Sequence, residues 1–220
     1  MSKKIFLLIS SLCLCCLFAI TGCSLNVEEL AKQSISEKVE VYFSGTGDFS
    51  ANISSGYRED PYVYNGKTAE VKNFAVVTLL LGVDSKYVQA DITINDKTST
   101  ILLEQDMLSS EHVADLGYKV KEDDEISIKY KDKSVQLTCK SKDFATSSDR
   151  ALEIGTTAFA EDLEKLISKE KLSAECYLRV IDNPNDKFNR LFWYFYIYAE
   201  NGTTHYCVIS VEDDNILIKS

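Results

Sequence analysis

Histidines, cysteines and carboxylates are the usual carriers of catalysis and metal binding, and in this chain they are scattered. The two histidines, His112 and His205, each stand alone, whereas zinc sites use several His, Cys or carboxylate ligands at close spacing. No Gly-x-Ser-x-Gly turn, Gly-x-Gly-x-x-Gly motif or phosphate-binding loop occurs in the sequence. The sequence therefore predicts no catalytic residue, no metal ligand and no cofactor.

One acidic run, Glu122–Glu125, has the oxygen-rich composition of a calcium loop. Calcium is held by six to eight oxygens that wrap around the ion. This run directly precedes a segment with strand periodicity, so it has no room to wrap. We predict a solvated turn here.

The segment from Phe192 to Tyr198 is almost entirely aromatic. Side chains on a strand point alternately to opposite faces, so Trp193, Phe195 and Ile197 share one face and suit a helix-packed core. The other face carries a row of tyrosines, which extends laterally to Tyr206 or to Tyr177, depending on the register of the neighbouring strand. The candidate binding residues are Tyr194, Tyr196, Tyr198 and Tyr206.

Two interpretations of this row remain open. Cross-strand aromatic pairs stabilise sheets by about 0.2–1 kcal/mol each, which makes the row structural. Exposed tyrosines are also enriched at binding interfaces, which makes the row a site for a protein, a peptide or an envelope glycan. The loop Gly56–Tyr62, charged and aromatic, is a second candidate for binding or an ordinary connection.

The elements that carry these residues fall into two groups. From 38 to 143 the sequence alternates apolar and polar residues in short runs separated by turn signals, a pattern typical of antiparallel strands. Phe74–Leu81 is apolar almost throughout, which indicates a strand covered on both faces. We predict a β-sandwich domain over 38–143. Examples of the alternating apolar residues are Val39, Val41, Phe43, Ala90, Ile92, Ile94, Ile126 and Ile128.

Residues 144–220 predict a second unit of helix plus sheet. Ser147 and neighbouring polar residues supply a helix cap, and apolar positions recur on one helical face from Arg150 to about Glu170. Four strand candidates follow at 173–181, 190–199, 203–211 and 215–219, with a hairpin at Asn201-Gly202. The predicted fold class is mainly β with α+β: an antiparallel sandwich, then one long helix packed on a small antiparallel meander.

Cysteine usage gives little sign of a disulfide framework. Cys139, Cys176 and Cys207 are the cysteines beyond the N-terminal region, and three cannot all pair within one chain. Cys139 and Cys176 fall in phase with buried strand residues, so we expect buried free thiols. A Cys176–Cys207 bridge is the alternative, since secreted proteins tolerate disulfides.

The N-terminus provides the clearest pattern in the chain. Lys3 and Lys4 precede an uncharged run from Ile5 to Ile20, which is the layout of a secretion signal and is short for a transmembrane helix. The run ends in Ile20-Thr21-Gly22-Cys23, which resembles the lipobox of bacterial lipoproteins. The resemblance implies that residues 1–22 are removed and that the Cys23 thiol receives a diacylglycerol, with 23–37 as a spacer. It also implies an outward-facing location at a cell membrane.

The net charge of the chain also limits the classes of partner. Loss of residues 1–22 moves the formal net charge from −10 to −12, because only Lys3 and Lys4 are charged there. Such an acidic chain is a poor nucleic-acid binder. We expect a membrane-anchored, non-catalytic binding module. The alternatives are an envelope enzyme whose site is assembled from distant residues and a purely structural or assembly lipoprotein.

Overall fold

A computed structural model of the chain describes residues 26–182 and 190–220. The predicted signal peptide over 1–22 and Cys23 lie outside these residues. The expected spacer is folded where it is described: helix α1 spans Val27–Gln33, capped by the Asn26 side chain, and a strand begins at Ile35. Among the described residues, no helix has the length and hydrophobicity needed to cross a bilayer.

Eight strands form the first part of the chain. They are β1 Ile35–Thr46, β2 Ser50–Glu59, β3 Val71–Leu80, β4 Tyr87–Ile94, β5 Lys97–Gln105, β6 His112–Asp115, β7 Ile126–Tyr130 and β8 Lys133–Cys139. Each pairs antiparallel with its neighbours in the order β1-β2-β3-β6-β5-β4-β7-β8, and β8 pairs back to β1 at Phe43↔Cys139. The strands therefore form a closed barrel.

The prediction of a β-sandwich over 38–143 was wrong for this reason. A sandwich and a barrel both bury every second residue, so alternation alone does not distinguish them. Closure depends on a close approach of β1 to β8. A Cβ on Gly45 would lie 2.3 Å from the Gln136 carbonyl oxygen, so this contact requires glycine. The inward side chains fill the barrel as a packed core, including Val41, Phe43, Ile53, Val77, Leu79, Ile92, Leu103, Ile126 and Ile128.

The remaining elements include four strands that extend the sheet beyond the barrel. Two helices come first, α2 Ser148–Ala158 and α3 Ala160–Lys165, followed by the short hairpin β9 Ile167–Ser168 and β10 Lys171–Leu172. Then come β11 Ala174–Asp182, β12 Leu191–Ala199, β13 Thr204–Ser210 and β14 Ile216–Lys219. The last four strands lie where alternation predicted them, but they are joined to the barrel. β11 pairs parallel with the N-terminal half of β1 at Ile35↔Cys176.

The single long helix predicted from Arg150 to Glu170 was also wrong. The helix stops at Phe159, whose side chain is buried and stacks on Phe195 with ring centroids 6.5 Å apart. Lys169 and Glu170 adopt positive φ angles of 51° and 62° and form the β9–β10 turn. The helical spacing of apolar residues therefore extends in the sequence beyond the residue at which the backbone leaves the helix.

The helices pack on one face of the extended sheet and create a second core. Trp193, Phe195 and Ile197 are at most 1% exposed in this core, as their alternation predicted. The Trp193 indole donates to the Thr146 carbonyl oxygen at 2.8 Å. Strand β3 serves both cores, because Phe74 packs into the second core and Ala75 into the barrel. Residues 74–77 of β3 are therefore covered on both faces, as predicted, whereas Leu80 in the same predicted strand is 46% exposed.

The cysteines also follow their prediction. Cys139, Cys176 and Cys207 are buried and free. Burial raises the pKa of the Cys176 and Cys207 thiols to about 12 in each case. These thiols are therefore protonated and inert at neutral pH.

Candidate binding face

The predicted tyrosine row lies on the face of the extended sheet opposite the helices. Tyr194 and Tyr196 have ring centroids 6.1 Å apart and nearly parallel rings, and Tyr206 on β13 lies 5.7 Å from Tyr194. Tyr198 continues the row along β12 and faces Thr204 across the sheet. All four side chains are partly exposed. The structure thus brings the four predicted residues onto one accessible face.

Three further tyrosines enlarge this row. Tyr177 on β11 lies 5.8 Å from Tyr196. Tyr62 and Tyr64 come from the β2–β3 connection and lie 6.3 and 5.0 Å from Tyr177. Tyr64 also reaches Tyr198, at 6.2 Å. We call the seven residues Tyr62, Tyr64, Tyr177, Tyr194, Tyr196, Tyr198 and Tyr206 the tyrosine face. The second candidate segment, predicted as a loop over Gly56–Tyr62, lies in β2 up to Glu59, and its last residue, Tyr62, belongs to the tyrosine face.

Arg179 is a cation that contacts several residues of the tyrosine face. Its guanidinium donates to both Glu37 carboxylate oxygens, at 2.9 and 3.0 Å, and to the Tyr64 hydroxyl at 2.7 Å. It also donates to the Tyr62 hydroxyl. The guanidinium carbon lies 5.7 Å from the centre of the Tyr177 ring, within cation–π range. One arginine therefore holds β1, β11 and the β2–β3 connection together.

Burial changes the pKa values of two groups in this network. Burial raises the pKa of Glu37, and the charge of Arg179 opposes that rise. Burial also raises the pKa of Tyr64 to about 12, so its hydroxyl stays neutral at physiological pH. The phenol hydroxyls of the tyrosine face can donate and accept hydrogen bonds beside the Arg179–Glu37 pair.

The β2–β3 connection is fixed on the sheet by backbone contacts. The Lys67 amide donates to Glu175 Oε1 at 3.0 Å, and the Ala69 amide donates to Glu59 Oε1 at 2.6 Å. A Cβ on Gly66 would lie 2.4 Å from the Glu200 nitrogen, so the two backbones touch. The segment that carries Tyr62 and Tyr64 is therefore held in one position.

Neither histidine belongs to a reactive constellation. His112 is buried, and its Nε2 lies 2.6 Å from the Ser85 carbonyl oxygen. His205 packs against the Phe159 ring, with centroids 5.3 Å apart. A cavity of about 530 Å³ has neither of them in its lining. Across residues 26–182 and 190–220, no group of three or more His, Cys, Asp or Glu is placed to hold a metal.

Sequence reasoning named six of the seven tyrosines: the four candidates, Tyr177 as the alternative neighbour of the row, and Tyr62 in the second candidate segment. It missed Arg179 and Glu37. Tyr177 and Arg179 are two residues apart on β11, so strand alternation places them on one face and was a usable signal. Nothing local connects Glu37 to Arg179, because the pair depends on the parallel pairing of β1 with β11. Tyr64 was missed because it lies in a loop without periodicity.

Comparisons with known proteins add no assignment to this geometry. No family model matches the chain, and the searches of curated proteins and of solved structures returned no match either.

Proposed function

We propose that this chain is an outward-facing membrane lipoprotein that binds a macromolecule through its tyrosine face, without catalysis. The lipobox-like Ile20–Cys23 supports lipid attachment at Cys23, which would hold the folded part at the membrane surface. The single observation that carries the binding role is the accessible row of Tyr194, Tyr196, Tyr198 and Tyr206 on β12 and β13, next to Arg179.

The composition of the tyrosine face favours a protein or peptide partner over an envelope glycan. Tyrosine and arginine dominate the binding energy of protein interfaces, because each offers large contact area with a polar end. Tyrosine also loses little rotamer freedom on binding. The hydrogen bonds of Arg179 to the Tyr62 and Tyr64 hydroxyls preorganise the face before a partner arrives.

The binding proposal is tested with full-length protein in detergent micelles. Wild type is screened against a displayed peptide library and an array of envelope glycan fragments, and the dissociation constant of the best ligand is measured. We expect Tyr194→Ala with Tyr196→Ala to weaken that ligand by about 100-fold or more, since interface hot spots cost at least about 2 kcal/mol each.

Exposed tyrosines elsewhere provide the matched control. Tyr87 and Tyr118 are 47% and 48% exposed and lie on the barrel part of the chain. Tyr87→Ala with Tyr118→Ala should leave the dissociation constant unchanged. Equal affinity of the wild type and a folded Tyr194/Tyr196 variant would sink the proposal. A stoichiometric protein that copurifies from solubilised membranes independently of these tyrosines would instead favour an assembly role.

The lipid anchor has its own test. Cys23→Ala should move the protein from the membrane fraction to the soluble fraction and abolish incorporation of a labelled fatty acid. A variant that stays membrane-bound and labelled would exclude Cys23 as the attachment point.

A further inference from the structure

A buried polar chamber lies beneath the β2–β3 connection. Glu59 on β2 is 2% exposed, Glu175 on β11 is 0% exposed and Ser36 on β1 is 0% exposed. The Lys67 and Ala69 amides, which flank Thr68, close the chamber by donating to Glu175 and Glu59 respectively. Such a concentration of oxygen atoms away from water requires a compensating partner.

Strand register brings these side chains together. β1 lies between β11 and β2. Because Glu37 pairs with Arg58, the next step in the register sets Ser36 beside Glu59. Ile35 pairs with Cys176, which places Glu175 next to the same stretch of β1. Two carboxylates on strands two positions apart therefore flank one serine.

The hydrogen bonding of the chamber is incomplete. Three buried oxygens, Ser36 Oγ, Thr68 Oγ1 and Glu59 Oε2, have no hydrogen-bond partner. Within residues 26–182 and 190–220, the ion pairs join Lys and Arg to other acids and include neither Glu59 nor Glu175. The Tyr177 hydroxyl and the Lys67 amide donate to Glu175, but neither donor carries a positive charge.

We propose that this chamber binds a calcium ion between Glu59 and Glu175, with Ser36 Oγ and Thr68 Oγ1 as further ligands. All the candidate ligands are oxygens, which suits hard cations and disfavours zinc, whose sites use nitrogen and sulfur. Calcium accepts irregular geometry more readily than magnesium, which demands near-octahedral coordination. Thr68 also lines the cavity of about 530 Å³, which provides an entry path from solvent.

The charge of a divalent ion suits this arrangement. A cation between Glu59 and Glu175 would sit against two buried carboxyl groups that no ion pair among the described residues includes.

The calcium site does not depend on the proposed binding function, but both involve the β2–β3 connection. The connection that roofs the chamber also carries Tyr62 and Tyr64. Calcium would therefore tighten the attachment of these two rings to the sheet. Binding of the ion is measured without any macromolecular ligand, so its failure and the failure of the tyrosine-face proposal are distinguishable.

The test uses full-length protein in detergent micelles, stripped with a chelator. Terbium is a calcium surrogate whose emission is sensitised by nearby tyrosine, and the Tyr177 hydroxyl bonds to Glu175 directly. We expect sensitised emission that calcium displaces. Calcium at 100 times its dissociation constant should raise the melting temperature by about 5–10 °C. Magnesium at the same concentration should have a smaller effect.

Isosteric variants locate the ion. Glu59→Gln keeps the acceptor for the Ala69 amide but removes the charge, and it should weaken calcium at least about tenfold. Thr68→Val provides a second variant with a smaller loss. Glu70→Gln removes an exposed carboxylate of the same connection and should leave affinity unchanged. The proposal is overturned if calcium neither displaces terbium nor stabilises the wild type. It is also overturned if Glu59→Gln and Glu70→Gln bind calcium equally well.

Discussion

The ion pair between Arg179 and Glu37 gives the sharpest test of how the tyrosine face is built. Glu37 is 7% exposed, and Arg179 contacts both of its carboxylate oxygens. Arg179→Met preserves much of the side-chain volume and leaves the Glu37 carboxylate buried without its cation. Removing one partner of a buried pair costs about 3–5 kcal/mol.

We expect a loss of about 3 kcal/mol at pH 7.5, the lower end of that range, because 32% of the Arg179 side chain is exposed to solvent. Chemical denaturation with urea at 25 °C measures this loss as a change in the free energy of unfolding. The Tyr62 and Tyr64 hydroxyls lose their guanidinium donor as well, so tyrosine fluorescence of the native state should change with it.

The loss should depend on pH in a defined direction. Burial already raises the pKa of Glu37, and removal of Arg179 raises it further. A carboxyl whose folded pKa exceeds its unfolded value destabilises the fold as pH rises from the unfolded value, 4.5, to the folded one. The cost of Arg179→Met should therefore decrease as the pH is lowered from 7.5 toward 4.5, because protonation of Glu37 removes the unpaired buried charge.

A double-mutant cycle decides whether the charge pair is the cause. In a Glu37→Gln background, Arg179→Met should cost only about 1 kcal/mol at pH 7.5, which gives a coupling energy near 2 kcal/mol. An equal cost in both backgrounds, or a cost independent of pH, would refute the electrostatic explanation and leave lost packing as the cause.

Two further predictions concern the second core. Gly155→Ala should destabilise the protein by about 1–2 kcal/mol in urea unfolding, although alanine favours helix by about 1 kcal/mol, because the new Cβ would lie 2.4 Å from the Phe195 ring. Thr157→Ala on the exposed side of the same helix should stabilise by about 0.5 kcal/mol, and the same sign for both variants would contradict the packing argument. The Cys176 and Cys207 thiols, with pKa values of about 12, should resist alkylation by iodoacetamide in the native protein near pH 8 and react after unfolding, as measured by mass spectrometry. Native alkylation at the unfolded rate would show that they are accessible.

Local patterns in the sequence predicted local structure well. Alternation placed Trp193 in the core and Tyr194 on the opposite face, and Asn201-Gly202 lies between β12 and β13 as a hairpin requires. These features depend on neighbours in the chain, since side-chain direction and turn conformation are set over a few residues.

Neither the closure of the barrel nor the parallel pairing of β1 with β11 could be predicted in the same way. The β1–β8 contact at Phe43↔Cys139 and the parallel β1–β11 contact join distant segments. A bulge between Val39 and Val41 also sends these two residues into different cores, although strict alternation places them on one face. The position of Arg179 beside Glu37 follows from these distant pairings, so single-sequence periodicity contains no signal for it.

The shared strand β1 has a consequence for the order of folding. It is made early, yet its partners Cys139 on β8 and Cys176 on β11 are roughly 100 and 140 residues later in the chain. At translation rates of 5–20 residues per second, β1 waits roughly 7 to 30 seconds for β11 to be made. During that time Val39, which packs in the second core, has no complete core to enter. A nascent chain that has not yet reached Ala174 therefore exposes β1 as an unpaired strand edge, which can pair with other chains. Protection of β1 by a chaperone would have its largest effect in that interval.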